Sequence, residues 1–341
     1  MTGVSQQLDR ALGALTGVAV GDAMGMPSQT FPRDQIVAAY GRITDFIAPI
    51  AEHPVSHGLS AAMVTDDTEQ TLILADFVLA HPARFDDIGG ADALIRWEAD
   101  VRARGLRDLL GPSSRRALDA LRAGAPASET GLTGTTNGAA MRIAPVGIAC
   151  PATDTCALVA RVAEACRVTH GTREAIGAAA AVAMVISQGI EGADFDAALP
   201  RALEAARLGS AIGAEVGEVD MAGRIGLALA LAVESDEATL AREVGTSVAS
   251  RASVAAAFGV VRLANGDPWQ AAVIAANIGD DTDTIGAIAC AMAGACRGLS
   301  AFPQSKVEQV LSANALDFVP TARGLLALRA QRARQTLQAA P

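Results

Sequence analysis

The chain has 341 residues, of which 51% are hydrophobic and only 3% aromatic, and its formal net charge is -10. This length can bury a large core, and length alone favours two domains. Because no basic cluster in the sequence could follow a phosphate backbone, we expect no nucleic acid partner.

In chain order, the first apolar segment is residues 11–20, which Asp9 and Arg10 precede directly, without a basic leader. We therefore do not interpret it as a signal peptide. The apolar stretches 176–186 and 285–296 are shorter than the ~20 residues that span a bilayer, so we expect no membrane segment. Five cysteines without a CxxC pair are typical of buried thiols in a reducing compartment, which predicts a cytoplasmic protein.

Apolar residues recur at helical spacing along almost the whole chain, and the many small residues predict closely packed helices. Residues 43–50 are the one stretch that we consider for a short strand or an extended loop. The spacing over residues 227–233 suggests a buried helix. The helical faces are formed by Leu72, Leu74, Ala75, Val78 and Leu79; by Leu118 and Leu121; by Ala157, Val159, Ala160, Val162 and Ala163; and by Leu227, Leu229, Leu231 and Val233.

Helix starts are signalled by Asp, Ser, Thr or Pro at residues 65–67, 112–114 and 267–268. No linker rich in Pro, Gly or Ser and no repeat of fixed period divides the chain. We therefore predict a single all-α domain over residues 1–341, despite the length. Its final segment, residues 325–338, is predicted to be a basic helix.

Two acidic clusters lie in apolar surroundings, TDDT at residues 65–68 and GDDTDT at residues 279–284. Either cluster alone is typical of a helix N-cap, because Asp and Thr favour the first turn. Three aspartates within four residues, followed by a helix with almost no polar face, are costly unless a cation or protons compensate them. The two clusters resemble halves of one cation site. Oxygen donors favour Mg²⁺, Mn²⁺ or Ca²⁺ over Zn²⁺.

Three further motifs are weaker signals. GDAMG at residues 21–25 is typical of a helix end with a glycine cap. GLTGTTNG at residues 131–138 is a loop before a predicted helix, where backbone N–H groups and the helix dipole suit phosphate, although it lacks the Gly-Lys-Ser/Thr of a Walker loop. Thr169-His170-Gly171 is typical of a helix break with a capped histidine.

In this order and at these separations, the motifs resemble those of the ADP-ribosylglycohydrolase family, which includes the enzyme that reactivates ADP-ribosylated dinitrogen reductase. The resemblance runs from about Leu12 to about Gly298. The most specific part is the pair of acidic motifs some two hundred residues apart. The matching motifs are GDAMG (21–25), TDDT (65–68), NGAAMR (137–142), TH (169–170) and DDTDT (280–284).

The resemblance implies a compact, orthogonal multi-helix bundle with a dinuclear Mg²⁺ or Mn²⁺ site. Asp22 would support the site from behind, His170 would lie near the substrate, and Arg142 would be an anion partner or part of an ion pair. The loop residues Thr135, Thr136, Asn137 and Gly138 would hold the phosphates of an ADP-ribose-like ligand. The implied metal ligands are Thr65, Asp66, Asp67, Asp281, Asp283 and Thr284.

The reaction implied by such a site is hydrolysis of an N- or O-glycosidic bond. Two divalent cations would activate a water molecule that attacks the anomeric carbon, through an oxocarbenium-like transition state. A nearby carboxylate would move the proton, and our catalytic candidates are Asp66 and Asp67, with Asp108 as a weaker one. The substrate would be a small ADP-ribose-like molecule or an ADP-ribosylated protein, and we expect a monomer.

One position departs from the family pattern. Relatives that act on ADP-ribosylated proteins usually have a glutamate shortly after the first motif, where this chain has Gln29. A glutamine cannot act as a carboxylate base. We therefore keep a small free riboside, such as a nucleoside or nucleotide, as an alternative substrate. A catalytically silent, crystallin-like binding protein and an unrelated metal-dependent phosphohydrolase also stay open.

Overall fold

The structure is a computed structural model that describes residues 3–105, 110–217 and 220–339. Over these residues it contains seventeen α-helices, the 3-10 helix Leu299–Ala301 and no β-strand. The α-helices are α1 Gly3–Gly25, α2 Arg33–Tyr40, α3 Asp66–Ala80, α4 Asp87–Ala103, α5 Pro112–Arg122, α6 Gly138–Met141, α7 Ala144–Ala149, α8 Thr155–His170, α9 Arg173–Ile190, α10 Phe195–Ser210, α11 Met221–Glu234, α12 Glu237–Val244, α13 Ser250–Leu263, α14 Pro268–Ala276, α15 Thr282–Arg297, α16 Gln304–Ala313 and α17 Val319–Ala339.

The centre of the fold is the antiparallel pair of α1 and α15, whose backbones touch. A Cβ atom at Gly17 would lie 2.2 Å from the carbonyl oxygen of Cys290, and one at Gly21 would lie 2.0 Å from that of Gly286. Only glycine permits such an approach. The pairing places the end of α1 beside the start of α15, and hence the GDAMG motif beside the second acidic motif.

The other central helix is α9, which is buried over almost its whole length and packs against α7, α8, α10 and α15. Its sequence is rich in alanine and glycine, so its neighbours approach it from several sides. The resulting core joins residues from α1 to α17 in one cluster of buried apolar side chains. This packing confirms the prediction of an all-α fold with closely packed helices.

A smaller apolar cluster joins α4 and α5 to α8. Leu94 and Trp97 of α4 pack in it with Leu118 of α5 and Val168 of α8. Since α8 ends at His170, this cluster holds the start of α5 near the end of α8. The segment around Pro112 thereby becomes one wall of the cavity described below.

The predicted helices after Asp67, around Leu118, over residues 157–163 and 268–276, and over 325–338 are confirmed. The prediction of a buried helix over residues 227–233 is wrong in part, because Leu227 is 42% and Val233 is 71% exposed in α11. Residues 43–50 form no strand and are a loop. Four cysteines are buried as expected, but Cys156 is exposed. No helix within the described ranges is long and apolar enough to span a membrane.

Candidate active site

The site begins with Asp22, a fully buried carboxylate near the end of α1. It accepts hydrogen bonds from the backbone N–H groups of Thr65 at 3.0 Å and Thr68 at 3.1 Å, and from both of their hydroxyls. Thr65, the N-cap residue of α3, makes no side-chain cap of its own. Burial raises the pKa of Asp22 to about 6, although these hydrogen bonds lower it. Asp22 therefore caps α3 and fixes the position of its first turn.

Four aspartates gather where α3 and α15 begin, Asp66 and Asp67 on the first helix and Asp281 and Asp283 on the second. Asp67 and Asp283 are almost completely buried, whereas Asp66 and Asp281 are half-buried. Burial raises the pKa of Asp66, Asp67 and Asp283 well above the usual range, and the neighbouring carboxylates raise it further. Burial also raises the pKa of Asp281, to about 6. The structure thus brings the two acidic motifs together.

Hydrogen bonds tie the two helix starts to each other and to their surroundings. The Thr284 hydroxyl lies 3.4 Å from Asp67 Oδ2, which is a long contact between α15 and α3. Asn137 Nδ2 donates to Asp281 Oδ2 and, at 2.8 Å, to the hydroxyl of Ser253. Asn137 therefore connects the glycine loop directly to the acidic cluster.

The donor set fits a hard divalent cation in charge and in type, because carboxylate and hydroxyl oxygens surround the cluster. Asp67 Oδ1 is buried and has no hydrogen-bond partner in the described part of the chain. Such an atom is costly unless another group compensates it. Among the described residues, no three His, Cys, Asp or Glu side chains lie close enough together to hold a metal ion in this structure.

The glycine loop, residues 131–138, lies against the end of α8. A Cβ atom at Gly134 would lie 2.0 Å from the carbonyl oxygen of Thr169, so this approach also requires glycine. Thr135 is held by its carbonyl, which accepts from Ser250 N at 3.0 Å. The helix that follows the loop, α6, has only four residues. So short a helix has little dipole, so the phosphate-binding role of the loop, which stays a prediction, would depend on donors of the loop itself.

His170 is completely buried at the end of α8, and its ring lies against Gly138. Its Nε2 lies 3.0 Å from the Thr136 hydroxyl and its Nδ1 lies 2.8 Å from the Thr169 hydroxyl. Burial lowers the pKa of His170 well below its usual value, and the charges of Arg142 and Arg116 lower it further. The histidine is therefore neutral, and it reaches the cavity only through Thr136.

Arg142 has neither of the roles that we expected for it. Its guanidinium is buried and donates to Gln70 Oε1 and to the Thr169 hydroxyl, each at 2.7 Å. Over the described residues it forms no ion pair. Burial lowers the pKa of Arg142 to about 10. Arg142 is thus a buried cation held by two neutral oxygens behind the acidic cluster.

Gln29 lies in the loop after α1, with only 8% of its surface exposed. The side-chain Nε2 of Gln29 donates to the Ser56 hydroxyl at 2.9 Å. His53 Nε2 lies 3.0 Å from the backbone carbonyl oxygen of Gln29. The next residue, Thr30, donates its N–H to the carbonyl of Asp280 at 2.6 Å. The loop of Gln29 is therefore attached to the second acidic motif.

These elements surround a cavity of about 200 Å³. It brings carboxylates with raised pKa values together with apolar side chains such as Val55, Leu110 and Met141, a combination that is typical of an active site. A cavity of about 510 Å³ between α8 and α17 holds no such cluster. Of the residues predicted from sequence, the smaller cavity is lined by Gln29, Asp66, Thr136, Asn137, Gly138, Asp281, Asp283 and Thr284, while Thr65, Asp67, Thr135 and His170 do not line it.

Sequence reasoning missed several residues of the cavity wall. Gln70 is one turn after Asp66 on α3, a spacing that could have indicated it, and its Nε2 donates to Asp66 Oδ2 at 3.2 Å. Pro112 and Ser114, which we interpreted only as a helix start, line the opposite wall, and no local signal marks them. Asp108 lies outside the described residues.

The fold and the site together define a class of protein, an all-helical chain with a carboxylate-rich cavity between two helix starts. The family model for ADP-ribosylglycohydrolase matches residues 4–335 of this chain. The chain therefore belongs to the ADP-ribosylglycohydrolase family. This membership supports an enzyme of the glycoside hydrolase type.

Individual relatives agree with this assignment. The protein YegU of Escherichia coli K12, whose function is uncharacterised, is 36% identical over 330 residues, which are 95% of this chain and 98% of YegU. The ADP-ribosylarginine hydrolase Tri1 of Pseudomonas putida GB-1 is 30% identical over 318 residues, covering 89% of this chain and 75% of Tri1. A solved structure described as an ADP-ribosylglycohydrolase-related protein complex is similar with a TM-score of 0.67 and 28% identity, over 96% of this chain and 99% of that one.

Proposed function

We propose that this protein hydrolyses the glycosidic bond between an ADP-ribosyl group and the group to which it is attached, with divalent cations as cofactors. The observation that carries the proposal is the set of four aspartates from α3 and α15 beside the cavity, where Asp67 Oδ1 has no partner among the described residues. Family membership and similarity to an ADP-ribosylarginine hydrolase support the substrate class.

Two Mg²⁺ or Mn²⁺ ions would be held by oxygens from both helix starts, and they would polarise a water molecule and the ribose hydroxyls. The proposed ligands are Thr65, Asp66, Asp67, Asp281, Asp283 and Thr284, with Thr65 restricted by its hydrogen bonds to Asp22. The positive charges of these ions would also explain why a buried cluster of carboxylates persists in a folded chain. The cations would remove the mutual repulsion of the carboxylates.

The proton role falls to Asp66 rather than Asp67 on geometric grounds. Asp66 lines the cavity, whereas Asp67 does not line it. Gln70 holds Asp66 Oδ2, which leaves Oδ1 as the atom that exchanges a proton with the water nucleophile or the leaving group. On the opposite side, the Thr136 hydroxyl and the Asn137 amide face the ligand. The Thr136 hydroxyl would orient a ribose or phosphate oxygen, while Asn137, whose two N–H groups are used by Ser253 and Asp281, would offer its Oδ1 to a ribose hydroxyl.

A second candidate is a small free riboside, and two observations favour it. The cavity of about 200 Å³ has room for a ribosyl group rather than a whole ADP-ribosyl group. Gln29 also places an amide where relatives that act on modified proteins carry a carboxylate, and this amide is fixed to Ser56. In this alternative the proposed cation ligands are the same, and the leaving group is the base of the nucleoside or nucleotide.

The test is a hydrolysis screen with Mg²⁺, Mn²⁺ or EDTA, followed by mass spectrometry of the products. The panel contains ADP-ribosyl-arginine, ADP-ribosyl-serine, O-acetyl-ADP-ribose, nucleosides and nucleotides. Metal-dependent release of ADP-ribose supports the first candidate, and release of ribose or ribose phosphate supports the second. Metal binding without cleavage of any compound would contradict both and favour a silent binding protein.

The control for this screen is a matched pair of double variants. Asp281→Asn with Asp283→Asn removes two charges at the start of α15, and we expect loss of metal binding with the helical circular dichroism spectrum retained. Asp194→Asn with Asp196→Asn makes the same change at the start of α10, away from the cavity. Equal loss of activity in both double variants would show that the effect is not specific to the site.

A further inference from the structure

A continuous chain of hydrogen bonds runs behind the cavity wall from the acidic cluster to the glycine loop. Gln70 Nε2 donates to Asp66 Oδ2, and Gln70 Oε1 accepts from Arg142 Nη1. On the other side, Arg142 Nη2 donates to the Thr169 hydroxyl. This hydroxyl contacts His170 Nδ1, and His170 Nε2 contacts the Thr136 hydroxyl. We call these six residues the Arg142 relay.

The direction of each hydrogen bond in the relay follows from Arg142, because a guanidinium can only donate. Gln70 must therefore turn its carbonyl oxygen toward Arg142, which leaves its NH₂ group for Asp66. At the other end, the Thr169 hydroxyl accepts from Arg142, so its own proton is available for His170. The buried cation thus fixes the orientation of both neighbours.

The same logic sets the tautomer of His170. Thr169 is 1% exposed, and over the described residues its hydroxyl contacts only Arg142 and His170. If His170 Nδ1 carried the proton, the Thr169 hydroxyl would accept twice and its own proton would be buried without a partner, which is costly. Nδ1 is therefore an acceptor, and the proton of the neutral ring is on Nε2.

The consequence appears at the cavity wall. Nε2–H donates to the Thr136 hydroxyl, which leaves the Thr136 proton free to donate into the cavity that this residue lines. With the opposite tautomer, Thr136 would donate to Nε2 and present only lone pairs to the ligand. An anionic oxygen, such as a diphosphate oxygen, requires a donor at this position.

We infer that Arg142 is a positioning residue that makes Thr136 a hydrogen-bond donor toward an anionic ligand oxygen and, through Gln70, orients the carboxylate of Asp66. The inference rests on the function proposed above, since it assumes that an anionic ribosyl ligand occupies the cavity. Arg142 does not line the cavity, and its side chain is buried.

The direct test is nitrogen NMR of protein labelled with ¹⁵N-histidine, free of metal and substrate, which reports the tautomer of each ring. Four histidines are present, and His170 is assigned from a His170→Gln variant. In the wild-type protein we expect a pyridine-type Nδ1 and a protonated Nε2 for His170. A protonated Nδ1 would overturn the inference without any variant. The result does not depend on activity, so it separates a failure of the relay from a failure of the proposed function.

Two variants then cut the relay at different points. Thr169→Val removes the linking hydroxyl with little change of shape, and Arg142→Met removes the buried donor. We expect each to replace the single tautomer by a mixture. The control is Arg329→Met, which removes another buried arginine that donates to carbonyls of Gly147, Ile148 and Cys150 far from the relay. A His170 spectrum unchanged in both relay variants, or changed equally in the control, would overturn the inference.

Kinetics provides the second readout, with whichever substrate of the screen is cleaved. Thr169→Val disturbs only the Thr136 branch, so we expect KM to rise by the inverse of the fraction of His170 that stays protonated on Nε2, about twofold for an equal mixture, with kcat retained. Arg142→Met also frees Gln70 and Asp66, so kcat should fall as well. Identical effects of the two variants on KM and kcat would contradict the two-branched relay.

Discussion

Asp67 carries the least satisfied atom of the site, since Oδ1 is buried without a hydrogen-bond partner among the described residues. Neighbouring carboxylates add repulsion to the cost of its burial, which raises its pKa. A carboxylate in this position weakens the metal-free fold and strengthens cation binding. The two effects can be separated by removing its charge.

For Asp67→Asn we expect the metal-free protein to unfold at the same temperature as the wild type or higher, because repulsion in the cluster decreases. Addition of Mn²⁺ should then raise the unfolding temperature of the wild type but not of the variant. At a metal concentration about 100 times Kd, binding stabilises a protein by about 2.7 kcal/mol. Differential scanning calorimetry measures both. A variant that keeps the full metal-induced shift would place the cation elsewhere.

Gln29→Glu tests the substrate choice. The Ser56 hydroxyl donates its one proton to the carbonyl of Met26, so it can accept from the Gln29 amide but cannot donate to a carboxylate there. The new carboxylate would lose this anchor and turn toward the cavity that Gln29 lines. We expect the ratio of kcat/KM for ADP-ribosyl-arginine to that for a free riboside to rise. Gln35→Glu, on the exposed face of α2, is the charge-matched control. Unchanged ratios in Gln29→Glu would remove this residue from substrate selection.

At the level of residues, the sequence predicts the chemistry of the acidic motifs because carboxylates so close together have few structural explanations. It does not predict the partners of Arg142, because α3, α6 and α8 meet there only in the folded chain. We expected an anion or a carboxylate beside the Arg142 guanidinium, and the structure has the side chains of Gln70 and Thr169 there. Glutamine and threonine are common throughout proteins. Tertiary contacts of common polar residues leave no local signal.

At the level of elements, the glycine contacts between α1 and α15 position the site. They fix Asp22 on one helix relative to Asp281 and Asp283 on the other, since the backbones touch at Gly21 and Gly286. Asp22 then fixes the start of α3. The relative positions of the acidic residues are therefore set by the pair of α1 and α15, although these two helices contribute few side chains to the cavity.

For Gly21→Ala we expect a loss of at least about 3 kcal/mol in the free energy of unfolding, at the upper end for overpacking, because the new Cβ would lie 2.0 Å from the carbonyl oxygen of Gly286. The matched control is Gly226→Ala in α11, where nothing lies within 4 Å of an added Cβ. This control should be neutral or gain about 0.5–1 kcal/mol, because alanine favours the helix. Urea denaturation measures both. Similar stabilities of the two variants would refute the close approach.

The helix α11 shows where periodicity misleads. In α11 the apolar residues alternate at every second position, which spreads them around the helix and exposes Leu227 and Val233. The buried face is instead formed by Ile225, Ala228 and Ala232, at spacings of three and four.

Of the two alternatives predicted for residues 43–50, a short strand or an extended loop, the structure has the loop. The side chain of Asn277 hydrogen-bonds both the N–H and the carbonyl group of Ile43, in place of a neighbouring strand.

At the level of the whole molecule, the chain assembles one site from three parts that are distant in sequence, near Asp22, Asp66 and Asp283. The all-α fold could be predicted because helical periodicity extends along the chain and motif order matches the family. The single domain, the monomeric state and the cytoplasmic location stay predictions.

The most direct test of the central claim is a metal titration of the hydrolysis rate. Protein freed of metal with EDTA is mixed with ADP-ribosyl-arginine, and the initial rate of ADP-ribose release is measured as Mn²⁺ or Mg²⁺ is added. We expect no release without metal, a saturable rise with it, and no rise in the variant with Asp281→Asn and Asp283→Asn. An equal rate in EDTA, or an undiminished rate in that variant, would contradict a cation site between α3 and α15.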